Sequence, residues 1–336
     1  MRYNRAMDEL ASYTRLGPDD ILNALDGVGY RCDGRILALN SYENRVYQVG
    51  MEDAAPVIAK FYRPGRWSDA CILEEHTFTL ELATQELPVI APLLNNDGAS
   101  LFHTGPFRFA VYPRVGGHPP ELDNPQHLLQ LGRCLARLHN LGAVRPFAQR
   151  RSLDMDTLGT LPREYLLTHG FIPADLLDAY TSVSADVLQR VQACFERAGT
   201  YQSLRLHGDC HLGNVLWNND APFLVDFDDA CTGPAVQDLW MFLSGDRAYM
   251  TSRLHDLLDG YTEFRDFHPA ELHLVEALRS LRLIHYAGWL AMRWEDPAFP
   301  LAFPWFNTQR YWQDHILTLR EQSALMQEEP LQWRPD

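Results

Sequence analysis

Alternating apolar and polar positions dominate the first third of the chain, and three-to-four-residue apolar spacing dominates the rest. Residues 18–29 read as a short helix, with Pro18, Asp19 and Asp20 in its first turn and Gly27 and Gly29 at its end. Two strands follow, 35–40 and 45–49, joined by Ser41-Tyr42-Glu43-Asn44. Residues 56–62 form an alternating strand that bears one lysine, Lys60. A helix over 68–82, with Ser68 as its N-cap, places Glu75, Phe78 and Leu82 at i, i+3 and i+7. Glu75 therefore lies on the stripe that faces the core. Strands near 89–94, 100–103 and 107–113 complete this part.

Helical periodicity then takes over. A helix is expected at 125–141, a loop-like stretch at 142–163, helices near 174–197, a further helix starting at Asp238, and an apolar helical stretch near 272–294. The last third is rich in aromatic residues, among them Tyr286, Trp289, Phe299, Trp305 and Trp312, and is broken by Pro297, Pro300 and Pro304. Such density usually builds core; a cage for a quaternary amine and a peptide-docking shelf are the other two readings. Strands followed by helices predict an α+β chain in two lobes, 1–113 and 114–336.

Composition narrows the chemistry. Hydrophobic residues make up 46% of the 336 and charged ones 22%, an ordinary globular balance. The net charge of −15 opposes binding to nucleic acid or to an anionic membrane. An anionic substrate therefore needs a local positive field, and Arg45, Lys60, Arg63 and Arg66 crowd into one stretch that can supply it; Arg66 reads as a solvated surface charge. The six cysteines include no C-x-x-C pair, which argues against a zinc site or a disulfide framework and suits a reducing cytoplasm. Cys210 and Cys231, near the motif below, read as small core residues, with a redox-sensitive thiol as the minor alternative. The N-terminus has no apolar signal core, and Glu276, Arg279, Arg282 and His285 disqualify 272–294 as a membrane span.

The chemistry concentrates in LHGDCHLGNVLWNNDAPFLVDFDDACTGP, residues 206–234. His207, Asp209 and Asn214 are spaced H-x-D-x4-N, and Asp226 follows between the apolar run Phe223-Leu224-Val225 and Phe227. Phosphoryl transfer needs a carboxylate to take the proton of the attacking hydroxyl, and oxygen ligands for the magnesium that neutralises a triphosphate. Protein kinases supply both from an H-R-D-x4-N loop and a D-F-G aspartate. The corresponding residues are Asp209 as base, with Asn214 and Asp226 as Mg²⁺ ligands. Lys60 parallels the strand lysine that holds the α- and β-phosphates of ATP, and Glu75 is its natural partner, with Glu74 as the fallback. His207 reads as a supporting residue, His139 as structural, and Asp238 as a structural brace for the catalytic-loop backbone, a role compatible with a helix N-cap. His211 stays unassigned.

Departures from the protein-kinase pattern identify the branch. Gly208 replaces the H-R-D arginine, Asp228 replaces the D-F-G glycine, and only eleven residues separate Asp226 from Asp238, too few for a long activation segment. H-G-D-x-H-x-x-N followed by D-F-D-D resembles the aminoglycoside phosphotransferase and choline kinase-like superfamily. Segments LNSYENRVY at 39–47, KFYRP at 60–64, LRLHGDCHLGN at 204–214 and GPAVQDLWM at 233–241 resemble its bacterial stress-response branch of Ser/Thr protein kinases. The resemblance implies a bilobal protein-kinase-like fold, an antiparallel β lobe and a mainly helical lobe. It also implies ATP as co-substrate, Mg²⁺, a protein Ser/Thr acceptor and autophosphorylation. On the residues alone the 41–44 loop is as readily an ordinary hairpin; the resemblance implies that Ser41 meets the phosphates. Two other functions remain open: a small-molecule kinase for choline, homoserine, methylthioribose or an aminoglycoside, and a nucleotide-binding pseudokinase, which intact Lys60, Asp209, Asn214 and Asp226 oppose.

Overall fold

The computed structural model describes Tyr13 and residues 16–334. Two compact units divide the chain: residues 1–120 with 147–150 and 213–229, and residues 121–146 with 151–212 and 230–336.

In the first unit, helix α1 (Pro18–Asp26) precedes a five-stranded antiparallel sheet. Its strands are β1 (Cys32–Ala38), β2 (Arg45–Met51), β3 (Val57–Phe61), β4 (Phe102–Thr104) and β5 (Phe107–Pro113), in the order β1-β2-β3-β5-β4. β3 is central, with Lys60 opposite Val46 on one side and Ala110 on the other. One face is apolar: Phe61 stacks on Phe109 at 5.1 Å, and both join Ala59, Val111 and the buried Ile21 and Leu25 of α1. Helix α2 (Asp69–Thr84) starts where Ser68 Oγ accepts the Cys71 N–H, satisfying one of the amides a helix start leaves over.

The strand expected over 89–94 does not form. Val89 makes a single bridge to Leu224, and Leu93 N–H donates to Val111 O at 2.7 Å. Pro88 and Pro92 lack the N–H groups that a ladder needs. The same edge receives the hairpin of β7 (Val215–Asn218) and β8 (Ala221–Leu224), through Leu224 N–H to Pro88 O and Ile90 N–H to Leu224 O.

The second unit is mostly helical: α3 (Pro125–Gly142), α4 (Leu161–Thr168), α5 (Leu177–Ala198), α6 (Arg247–Thr262), α7 (Val275–Met292), α8 (Ala298–Ala302) and α9 (Gln309–Leu325), with a short pair β6 (Leu204–Leu206) and β9 (Cys231–Gly233). The stretch expected to be loop-like, 142–163, holds a turn of π-helix over 156–160 and the start of α4, with Pro162 near its beginning. α3 and α6 cross at glycines: a Cβ on Gly132 would lie 2.0 Å from Leu257 O, and one on Gly260 2.0 Å from Leu129 O. Phe299, Phe303, Phe306 and Trp312 are buried in one cluster with α5 and α7. That bears out the core reading for these aromatics, whereas Tyr286 and Trp305 stay exposed. Among the described residues no helix is long and apolar enough to cross a membrane. The architecture is α+β, with an antiparallel-sheet N-terminal lobe and a helical C-terminal lobe.

Candidate active site

Lys60 points from the central strand into a cluster of carboxylates. Its Nζ lies 2.8 Å from Asp226 Oδ1 and 3.4 Å from Asp228 Oδ1, with the lysine side chain only 7% exposed. Burial disfavours the ammonium, but Asp226, Asp228 and Glu75 outweigh it and hold Lys60 protonated. The expected Lys60–Glu75 ion pair is not formed. Glu75 is buried on α2 and its Oε2 has no hydrogen-bond partner. Burial pushes its carboxyl up to about 7, against the pull of Lys60 and Arg150. The two aspartates following the strand hairpin reach Lys60 more directly than an acid on the helix does. Glu74 is not the partner either: its carboxylate accepts the N–H groups of Ala148, Gln149 and Arg150 at 2.6–2.8 Å.

Asp226 itself has φ +61°, a left-handed backbone that a non-glycine residue adopts at a cost of order 1 kcal/mol. The strain turns the chain sharply out of β8, so Asp226 is half exposed while Asp228 is 4% exposed. Asn214 is tied to the same turn: Val225 N–H donates to Asn214 O at 3.0 Å. Asn214 and Asp226 are therefore neighbouring hard-oxygen donors. No cluster of three or more His, Cys, Asp or Glu able to cage a metal exists among the described residues. One carboxylate and one amide suit magnesium, which keeps waters and substrate phosphates as its remaining ligands.

Arg66 corrects the sequence reading. It is 15% exposed, not solvated; its guanidinium pairs with Asp228, and its Nη2 donates to both Asp229 oxygens at 2.8 and 2.9 Å. The signal was present in the two acids after Phe227, which need cations once they are buried. Arg63 and Arg66 also meet Glu43, at 3.5 and 3.8 Å, and Arg63 N–H donates to Asn44 Oδ1. The β1–β2 loop that carries Ser41 is thus fastened to the end of β3. Ser41 makes no hydrogen bond among the described residues.

In the second unit, Asp209 sits on a loop that Asp238 holds. Asp238 accepts the His207 and Gly208 N–H groups, each at 2.8 Å, and contacts His139 Nε2 at 3.1 Å; Asp238, His207 and His139 are fully buried. His139 Nδ1 lies 2.8 Å from the Tyr261 phenolic Oη. Asp238 ends a 3-10 turn over Ala235–Asp238 and does not start the helix expected there, yet it braces the loop backbone as expected. Gly208 has φ +86°, open to glycine and strained for any other residue, which explains why no arginine stands there. Asp209 N–H points to His207 Nδ1 at 3.4 Å, Asp209 Oδ2 lies 3.4 Å from His211 Nε2, and Arg282 donates to Oδ1. Burial would raise the Asp209 carboxyl, but the bond from His211 and the Arg282 charge hold it well below the usual carboxylate range. Sequence reasoning missed Arg282, which stood out only as a charge on an apolar helix. Cys210 is fully buried, and burial pushes its thiol well up, away from a reactive thiolate.

Comparison with known proteins gives the same picture. Residues 35–275 match the family model described as "Phosphotransferase enzyme family". Stress response kinase A of Escherichia coli (strain K12) is 44% identical over 324 residues, 96% of this chain and 98% of that protein. Serine/threonine protein kinase RdoA of Salmonella typhimurium is 43% identical over 328 residues, 98% of this chain and 99% of that one. Among solved structures, an amicoumacin kinase in complex with AMP-PNP, Ca²⁺ and Ami superposes with a TM-score of 0.71 at 20% identity, covering 93% and 94% of the two chains. A microcompartment-associated aminopropanol kinase gives 0.69 at 19%, covering 91% and 96%. These two likenesses show the fold. With a family model spanning most of the chain and relatives above 40% identity over nearly its full length, this chain is a kinase and belongs to the phosphotransferase enzyme family.

Proposed function

We propose that the enzyme transfers the γ-phosphoryl group of ATP, with Mg²⁺, to Ser/Thr hydroxyls of proteins, in a bacterial stress response in the cytoplasm. The observation that carries the protein acceptor is the near full-length similarity to a relative named as a Ser/Thr protein kinase. Asp209 takes the proton of the attacking hydroxyl while the braced loop fixes its position. Its low-lying carboxyl keeps it ionised at neutral pH, and the proton moves late, as the oxygen commits to phosphorus.

Asp226 and Asn214 hold the Mg²⁺, which neutralises phosphate charge when bound. Lys60 aligns the α- and β-phosphates, and its buried, charged state suits that task. Glu75, with an unengaged carboxylate oxygen beside Lys60, is the acid available to the lysine when Asp226 is engaged elsewhere. Ser41 and the backbone of its loop cover the phosphates, and autophosphorylation follows from a hydroxyl acceptor on protein.

The test is labelled-phosphate transfer from ATP to the enzyme itself, to a generic protein and to a panel of small alcohols and amines. Label on Ser or Thr that disappears with Asp209→Asn supports the proposal. Transfer to a small alcohol alone, at ordinary enzyme efficiency, removes the protein acceptor and leaves the family assignment standing.

A further inference from the structure

Arg282 stands on the exposed side of α7, and Asp209 is its sole ion-pair partner among the described residues. Its neighbour one turn earlier is used differently. Arg279 donates to Glu276 at 3.1 Å and to Leu243 O at 2.8 Å, and lies over the Trp240 ring. Arg279 is thus locked into the packing of the unit. Arg282 is 44% exposed and held at its tip by the catalytic-loop carboxylate alone. Asp209 is 24% exposed, so the arginine side of the pair is the one open to solvent and to an incoming anion. Arg282 caps one Asp209 oxygen, and His211 faces the other.

This inference rests on the reading of Asp209 as the base: we propose that Arg282 is a specificity-determining residue of the acceptor site, pairing with an anionic group carried beside the acceptor hydroxyl. A hydroxyl that donates to Asp209 brings its chemical neighbours up to the guanidinium. A carboxylate there exchanges one charge-assisted bond for another, and the planar fork of arginine fits it in bidentate fashion. An amine or ammonium there meets a like charge. The chain as a whole, at −15, repels acidic acceptors, so their selection needs a cation at the point of transfer itself. The substrate class is a Ser/Thr hydroxyl flanked by Asp or Glu.

The experiment compares kcat/KM for peptides identical except for Glu, Gln or Lys beside one serine, using the full chain and the variants Arg282→Ala and Arg282→Glu. Hydroxy acids and amino alcohols form a second arm, and nucleotide affinity and melting temperature report that each variant is folded. Wild type is expected to favour Glu over Gln by about tenfold, the size of one charge-assisted bond, and over Lys by more. Arg282→Ala flattens the ranking and Arg282→Glu inverts it. The same ranking in Arg282→Ala as in wild type overturns the inference, as does an equal loss for every acceptor, which would assign Arg282 to the base or the phosphoryl group. If only small alcohols accept phosphate, the protein-acceptor reading fails by itself. Arg282 is then judged on hydroxy acids against amino alcohols: a preference for the acids that Arg282→Ala abolishes sustains it, and no such preference overturns it.

Discussion

Asp228 carries two cations at once: Lys60 Nζ stands 3.4 Å from its Oδ1, and the Arg66 guanidinium closes on its Oδ2. The carboxylate is 4% exposed, and its pKa stays below the usual range because Lys60 and Arg66 outweigh burial. Removing it leaves Lys60 to Asp226 and Arg66 to Asp229, two more exposed partners. Asp228→Ala is expected to lower unfolding stability by about 3 kcal/mol, the lower end of the cost of breaking a buried pair from one side, because each cation keeps a second carboxylate. In an Asp228→Ala background, Lys60→Met should cost much less than it does alone, read from denaturant midpoints. Strict additivity would mean that Asp226, and not Asp228, sets the state of Lys60.

Asp209 and Asp226 should fail in different ways. Asp209→Asn is expected to leave nucleotide affinity nearly intact and to lower turnover by roughly 10²–10⁴-fold, the range for a positioned acid–base group. Asp226→Ala should lose divalent-dependent nucleotide affinity together with turnover, and Asn214→Ala should lose less affinity because it brings no charge. Nucleotide titrations with and without Mg²⁺ separate the cases. Unchanged Mg²⁺-linked affinity in Asp226→Ala would remove it from the metal site.

The fold was readable because most elements obey one period each. The 107–113 strand, the 45–49 strand and the Ser68-capped helix appear within two residues of their expected limits. The failures have physical causes. At 89–94 the apolar pattern is that of a strand, but Pro88 and Pro92 leave the backbone short of donors. At 156–163, read as loop-like, the stretch is too short and weakly patterned to show the π-helical turn and the start of α4, which packing fixes. In the candidate site, spacing told which residues carry oxygen and charge, but not how they pair. Nothing in the sequence ranks Asp226, Asp228 and Glu75 as partners of Lys60, because that choice depends on where a left-handed Asp226 sends the next turn. The partners of Arg66 and Arg282 are hidden for a similar reason: each meets its acid across more than 70 residues of chain, and for Arg66 only the pair of acids after Phe227 hints at a buried cation.

Asp238 provides a sharper test of the braced loop. It receives two backbone N–H groups and faces His139, with no exposure. Asp238→Ala leaves the buried His207 N–H unsatisfied, at about 1–3 kcal/mol, and frees the half-buried Gly208 N–H. Asp238→Asn keeps one carbonyl acceptor and is expected to retain more of both stability and turnover. A fall in kcat that exceeds the fall in nucleotide affinity would show that the brace acts on the position of Asp209. Equal stability of Asp238→Ala and wild type in thermal melts would contradict the brace.

The turn that ends in Asp238 is itself fastened by Glu271, whose Oε2 accepts the Val236 N–H at 2.9 Å. Glu271 is 4% exposed, and burial raises its carboxyl from 4.5 to about 7, outweighing the bond from Val236 and the charge of Arg265. Between these values the folded chain keeps a proton that the unfolded chain has released. Stability from this group is therefore full below pH 4.5, declines as pH rises through 7, and is absent above it. Glu271→Gln carries no titrating proton but keeps an acceptor for Val236. The melting temperature of Glu271→Gln relative to wild type is expected to rise between pH 5 and pH 8, with most of the change between pH 5 and 7. Parallel pH profiles for the two proteins would show that the Glu271 carboxyl keeps its ordinary pKa, and that the turn under the catalytic loop is not weakened by its ionisation.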